Sequence, residues 1–308
     1  LYLGNEIHRE APPIPERVVA SDGRVLYTRA DIETGRAVWQ SIGGHQLGSI
    51  WGHGALVAPD WSADWLHREA MARLDLRARR QLGKPWVELD EGPRAALTAE
   101  LIPDLRRNTW DPTTGDLGIS TERAAAIDAV SAHYVSLFGS DPATAALRES
   151  YAMKDDTVGS AEHRRQITAF FFWTAWAAGT ERPGATASYT NNWPHDPMVG
   201  NTSTPSAFIW SMFSILFMIA GIGLLGWYYA VNRHEDVPVP PATDPLKSLV
   251  PTPSMKATQK YFWVVLALFL VQIVLGATTA HYQVEGQEVY GMALAEVLPY
   301  SLTRSWHT

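Results

Sequence analysis

SAFIWSMFSILFMIAGIGLLGWYYAV, Ser206 to Val231, runs without a charged residue and decides the class of this protein. At a helical rise of about 1.5 Å per residue it is long enough to cross a hydrocarbon core of about 30 Å. A second run, Tyr261 to Ala280 (YFWVVLALFLVQIVLGATTA), is as apolar, with aromatic residues at its Lys260 end where an interface belt would hold them. Trp227, Tyr228 and Tyr229 mark one end of the first run in the same way. Two transmembrane helices are expected, over 206–232 and 260–284. The linker between them, 233–259, carries Pro238, Pro240, Pro241, Pro245, Pro251 and Pro253 and is expected to be extended. Its cations are Arg233, Lys247 and Lys256, with Lys260 at its end, whereas Thr190 to Ser206 and His281 to Thr303 hold no Lys or Arg. The positive-inside rule therefore puts the linker in the cytoplasm and the preceding residues outside, in a multi-pass protein.

Working outward, the first two thirds of the chain are polar, and the slightly negative mean hydropathy averages two unlike parts. With 308 residues and 46% hydrophobic composition the chain can bury a core, which argues against disorder. A net charge of -7 without a basic stripe argues against nucleic acid. Cysteine is absent, which removes disulfides, thiolate metal sites, iron–sulfur clusters and thioether attachment of a c-type haem. Leu1 to Leu3 do not read as a targeting signal, and with Pro12, Pro13 and Pro15 just beyond, 1–15 is expected to be the end of a preceding membrane anchor followed by a stiff spacer.

Residues 16–205 read as a mainly helical globular domain with small β elements. Hairpins are expected near Val18 to Thr28 and around Trp110 to Ile119, turning at Thr114-Gly115. Helices are expected over Ile32 to Gln40, Ala63 to Leu82, Glu91 to Asp104, Glu122 to Phe138, Pro142 to Met153 and Ala161 to Ala178. Ile167 to Ala178 is too short to span a membrane and reads as the core helix of the domain. Trp61 and Trp65, one turn apart behind Asp60 or Ser62 as N-cap, suit a buried face. Trp39, His45, Trp51, His53 and His67 crowd the same region; the histidines follow no zinc spacing, so packing is preferred to metal binding. Arg164, Arg165 and Trp193-Pro194-His195 are assigned no chemistry.

Past the second apolar run, His281 and Glu285 stand at i and i+4, on one helical face near the outer bilayer surface. Spacing alone allows two readings: ordinary interface solvation, or a pair of proton acceptors for a lipid-soluble quinol, whose oxidation releases two protons. His307 follows Arg304 in LTRSWHT (Leu302 to Thr308), where Pro299-Tyr300 is expected to open a new helix. A lone histidine there is either an ordinary surface residue or an axial haem ligand with an arginine close enough for a propionate.

Three stretches carry a resemblance: GHGALVAPDWSADWLHRE (Gly52 to Glu69), YTNNWPHDPMVGN (Tyr189 to Asn201), and the segment from KYFWVVLALFLVQIVLG (Lys260 to Gly276) to LTRSWHT. With their order along the chain, they resemble the amino-terminal part of the quinol-dependent nitric oxide reductases of the haem-copper oxidase superfamily. The resemblance implies an external cytochrome c-like domain that has lost its haem. Where cytochrome-containing relatives have CxxCH before a GxGA segment, this chain has Gly44-His45-Gln46-Leu47-Gly48 before Gly52-His53-Gly54-Ala55. The donor is then a membrane quinol, menaquinol or ubiquinol, and no soluble cytochrome c is needed.

The resemblance further implies that His281 and Glu285 bind quinol, that His307 is an axial ligand of a low-spin haem b, and that Arg304 faces a haem propionate. Relatives hold calcium through the carbonyl of the second GxGA glycine, matched by Gly54, and a tyrosine, for which this chain has Leu56 with no side-chain oxygen; calcium stays open. Haem b3 and a non-haem iron, where two NO become N2O in denitrification, belong to helices that would follow 285–308. That last segment is expected to be an outer loop and the start of a further membrane helix in a longer chain. The implied place is the bacterial inner membrane; monomer or homodimer stays open. Two rivals stand: a quinol oxidase reducing oxygen, and a membrane-tethered binding or sensor domain.

Overall fold

The computed structural model describes residues 10–55, 57–233, 241–284, 291–292 and 294–307. They fall into two compact units, one of 1–204 with 275–308, the other of 205–274.

In the first unit, β1 (Arg17–Ala20) and β2 (Val25–Thr28) form the expected hairpin, with a bulge between Val18 and Val19. Helix α1 (Arg29–Ser41) starts at a capping box in which Thr28 and Asp31 satisfy each other's backbone N–H. A short α2 (Gly44–Leu47) leads into a small ribbon of β3 (Ser49–Ile50) and β4 (His53–Gly54). Then come α3 (Trp61–Leu82), α4 (Glu91–Arg106), β5 (Leu117–Ile119), α5 (Thr121–Leu137), α6 (Ala145–Ser150) and α7 (Ala161–Gly179). Most helices match expectation to within a turn. Two readings are refined. Trp110 to Ile119 turns at Thr114-Gly115 as expected, with Asp111 N donating to Asp116 O at 2.9 Å and one antiparallel bridge, Trp110 to Leu117, and β5 pairs in addition in parallel with β1 to complete a β2-β1-β5 sheet. Pro142 to Met153 is a 3-10 turn over Pro142–Thr144 followed by α6, which ends at Ser150.

The core is built on α7, in which every residue from Ile167 to Gly179 is buried. Helices α1, α3 and α5 pack around it. Trp61 stacks on Phe171 with ring centroids 5.4 Å apart, and Trp65 stacks on Tyr134 at 5.3 Å. Such offset aromatic pairs add about 0.5–1.5 kcal/mol each beyond the area they bury. Buried charge is compensated. Arg123 Nε donates to Glu69 at 2.6 Å with both side chains buried, and Trp65 Nε1 donates to the other Glu69 oxygen at 3.1 Å. Beside them Arg77 Nε donates to Glu122 at 2.8 Å. Burial, with the neighbouring Arg123 charge, lowers the Arg73 guanidinium to about 10. Burial works to raise the Glu122 carboxyl, but Arg77, Arg73 and Arg80 outweigh it and hold it below the ordinary range.

Arg106, near the end of α4, fastens the last stretch of this unit. Its Nε donates to Glu181 at 2.9 Å, Nη1 to Asn201 Oδ1 at 2.9 Å and Nη2 to Thr186 O at 2.7 Å. The Tyr189 to Asn201 motif is thus tied to α4 through Asn192 and Asn201, with Trp193-Pro194 in cis.

The second unit holds α8 (Pro205–Asn232) and the first part of α9 (Pro253–Val284). Both pass the length and hydropathy requirement for a membrane span. None of the described α8 side chains is buried, and its apolar surface points outward all round. A helix of that composition needs lipid to cover it. The linker is less extended than its prolines suggest. It contains a 3-10 turn over Pro245–Ser248, and α9 begins at Pro253 instead of Lys260. Proline is tolerated at a first helical position, and Thr252 Oγ1 caps the end by accepting from Met255 N at 3.2 Å.

Candidate functional site

The site is assembled at the corner where α9 ends and α10 (Tyr300–His307) begins, against the loop between α1 and α3. Asp60 organises that loop. Its buried carboxylate caps α3 by accepting from Ser62 N and Ala63 N, each at 3.0 Å, and also from the Ser62 hydroxyl. It reaches back to accept from Ser49 Oγ at 2.6 Å and Gly52 N at 2.7 Å. One carboxylate thus ties Gly52, where the Gly52 to Glu69 motif starts, to the first turn of α3, and the choice between Asp60 and Ser62 as cap falls to Asp60. Gly54, at φ 139°, belongs to β4, where an added Cβ would run into the Gly48 carbonyl. Only glycine fits that backbone.

Ala55, directly after it, is buried in a small cluster with Ala152, Tyr282, Ala295 and Tyr300. The GxGA segment and the corner that carries the candidate ligands are therefore brought together. Tyr282 OH donates to Leu298 O at 2.9 Å, and Glu296 accepts from Asp155 N at 2.8 Å. Helix α10 also packs on α2.

His281 is exposed on the last turns of α9, while Glu285 and Leu56 lie outside the described residues. His307 is half-buried at the end of α10, its imidazole turned to α9 at Gly276, where an added Cβ would stand 2.5 Å from Cε1. Arg304, one turn earlier and half-buried, reaches Tyr300 OH at 3.5 Å. The imidazole is seated in a cradle that one methyl group would fill, with a guanidinium a turn away; the donor types are those that a haem iron and a propionate take. A c-type haem does not fit the domain. Thioether attachment needs thiols that the sequence lacks, and the Trp39 indole fills the space a side chain on Gly44 would take.

The histidines of the crowded region make local contacts. His45 sets its ring edge-on to Trp39 with centroids 4.1 Å apart, His53 Nδ1 lies 3.0 Å from Trp51 O, and His67 pairs with Asp196 at 3.4 Å. No group of three metal-ligating side chains occurs among the described residues. Sequence reasoning missed Tyr282, Tyr300 and Gly276. The only signal for the tyrosines was a pair of polar-tipped aromatics flanking the outer segment, and for Gly276 a helix-weakening residue inside an apolar span.

A family model for the cytochrome c-like domain of the nitric oxide reductase NorB matches residues 15–195, more than half of the chain. No curated protein matches the chain.

Proposed function

Because the chain belongs to the nitric oxide reductase NorB family through its cytochrome c-like domain, we propose that it is the donor side of a quinol-oxidising nitric oxide reductase. The observation that carries this reading is chemical: a cytochrome c-like domain in a chain without a single cysteine. Such a domain has no means of holding haem c covalently, so it offers no relay for electrons from a soluble cytochrome. A lipid-soluble two-electron donor supplies them instead.

The quinol, menaquinol or ubiquinol, binds at the outer face between His281 and Glu285, which accept its two protons. His307 ligates a low-spin haem b and Arg304 pairs with a propionate. Haem b, when bound, would supply one-electron transfer from the quinol towards the centre where two NO, two electrons and two protons would become N2O and H2O. The protein sits in the bacterial cytoplasmic membrane with residues 16–205 on the periplasmic side, as the cations of the linker favour.

The test is Glu285→Ala in the full-length protein. Quinol-driven NO consumption is expected to fall by about 10²-fold, the scale of a lost proton acceptor, with haem content unchanged. Wild-type turnover in that variant would remove Glu285 from the site, and water from O2 without N2O from NO would replace the whole reading by a quinol oxidase.

A further inference from the structure

We propose that Gly276 is a positioning residue for the His307 imidazole, leaving a bare stretch of α9 backbone against which the ring lies and so setting the direction of its two nitrogens. This rests on the reading of His307 as a haem b ligand. Glycine weakens a helix relative to alanine, so its presence inside an apolar span calls for a cause. At Gly276 the cause is a close approach. A Cβ there would stand 2.5 Å from Cε1, 2.8 Å from Nδ1 and 3.2 Å from Nε2 of His307. At Gly221, Gly223 and Gly226 of α8 an added Cβ would meet nothing within 4 Å. The order of the three distances turns the ring edge between the nitrogens towards Gly276, so any side chain there displaces both nitrogens together.

Helix α10 has little freedom to back away from such a side chain. Thr303 is completely buried, Tyr300 is buried against Tyr282 and Ala152, and the helix is seated on α2. The strain of an added methyl group therefore falls on the His307 side chain, which escapes by rotating. Ligand bonds to a metal hold to within about 0.2 Å, and a rotated imidazole does not keep its nitrogen in place to that tolerance.

The test uses the full-length protein in membranes, with Gly276→Ala, Gly276→Val, Gly221→Ala and His307→Ala compared. The readouts are the low-spin ferric EPR g values, which report axial imidazole orientation, and the low-spin haem b absorbance per mole of protein. Gly276→Ala is expected to shift the g values or lower low-spin occupancy by about tenfold, the scale reached when the support of a ligand is lost. Gly276→Val should abolish the signal, and Gly221→Ala should match wild type. Thermal unfolding of each variant, followed by tryptophan fluorescence, separates ligand displacement from misfolding: an unchanged transition with an altered haem signal supports the proposal. If His307→Ala loses the low-spin signal while both Gly276 variants keep wild-type g values, Gly276 has no positioning role and the ligand assignment survives. A wild-type low-spin signal in His307→Ala removes the ligand assignment, and the proposal with it.

Discussion

His133 shows how a residue outside the proposed site shapes the behaviour of the protein. It lines a cleft of about 410 Å³ with Asp64, Arg68 and His67. Burial, followed by the Arg68 charge, lowers the His133 pKa from its ordinary value against a smaller opposing pull from Asp64. The folded protein thus resists protonating this ring, while the unfolded chain takes up a proton near the ordinary histidine value of about 6.5. The stability this group confers is full above that value and is lost as pH falls through the depressed folded value. Thermal unfolding midpoints should therefore drop between about pH 7 and pH 5, and less steeply in His133→Gln. Parallel curves for the two proteins would show that His133 does not titrate with folding.

Asp60 belongs to the scale of elements, because its carboxylate joins three of them. It caps α3, accepts from Ser49 in β3 and holds Gly52 in the turn before β4. Asp60→Ala removes a helix cap worth about 1 kcal/mol and strands neighbouring donors at about 1 kcal/mol or more each. A loss of about 2–4 kcal/mol in urea unfolding, read by tryptophan fluorescence, is expected. Asp60→Asn should recover part of it, since an amide keeps one acceptor oxygen but turns an NH2 towards the remaining donors. A loss below about 0.5 kcal/mol would mean that the loop holds its shape without this residue.

For the whole molecule the decisive matter is which side of the membrane each part faces. These 308 residues hold no cysteine, so a thiol introduced among them is a new labelling site, read against the unsubstituted protein as blank. Ser140 and Ser248 are both exposed, the first in the globular unit and the second in the linker. In intact spheroplasts a membrane-impermeant maleimide is expected to label Ser140→Cys at once and Ser248→Cys only after lysis. The reverse pattern would invert the proposed topology and put residues 16–205 in the cytoplasm.

Sequence by itself determined what depends on composition and short-range periodicity. Charge-free runs longer than a bilayer mark α8 and α9, and α1, α3, α4, α5 and α7 fall within a turn of expectation, because such signals lie within a few turns of chain. The absence of cysteine excludes thioether attachment of a haem to these residues without reference to any fold. Tertiary structure alone decided what joins distant segments. The parallel pairing of β5 with β1 is one such join, since it links strands about a hundred residues apart that no adjacent turn specifies. The meeting of Ala55 with Tyr282 and Tyr300, and of Gly276 with His307, is equally invisible in a linear reading. Close packing is a property of surfaces brought together by folding, and no local pattern encodes which methyl group would be one too many.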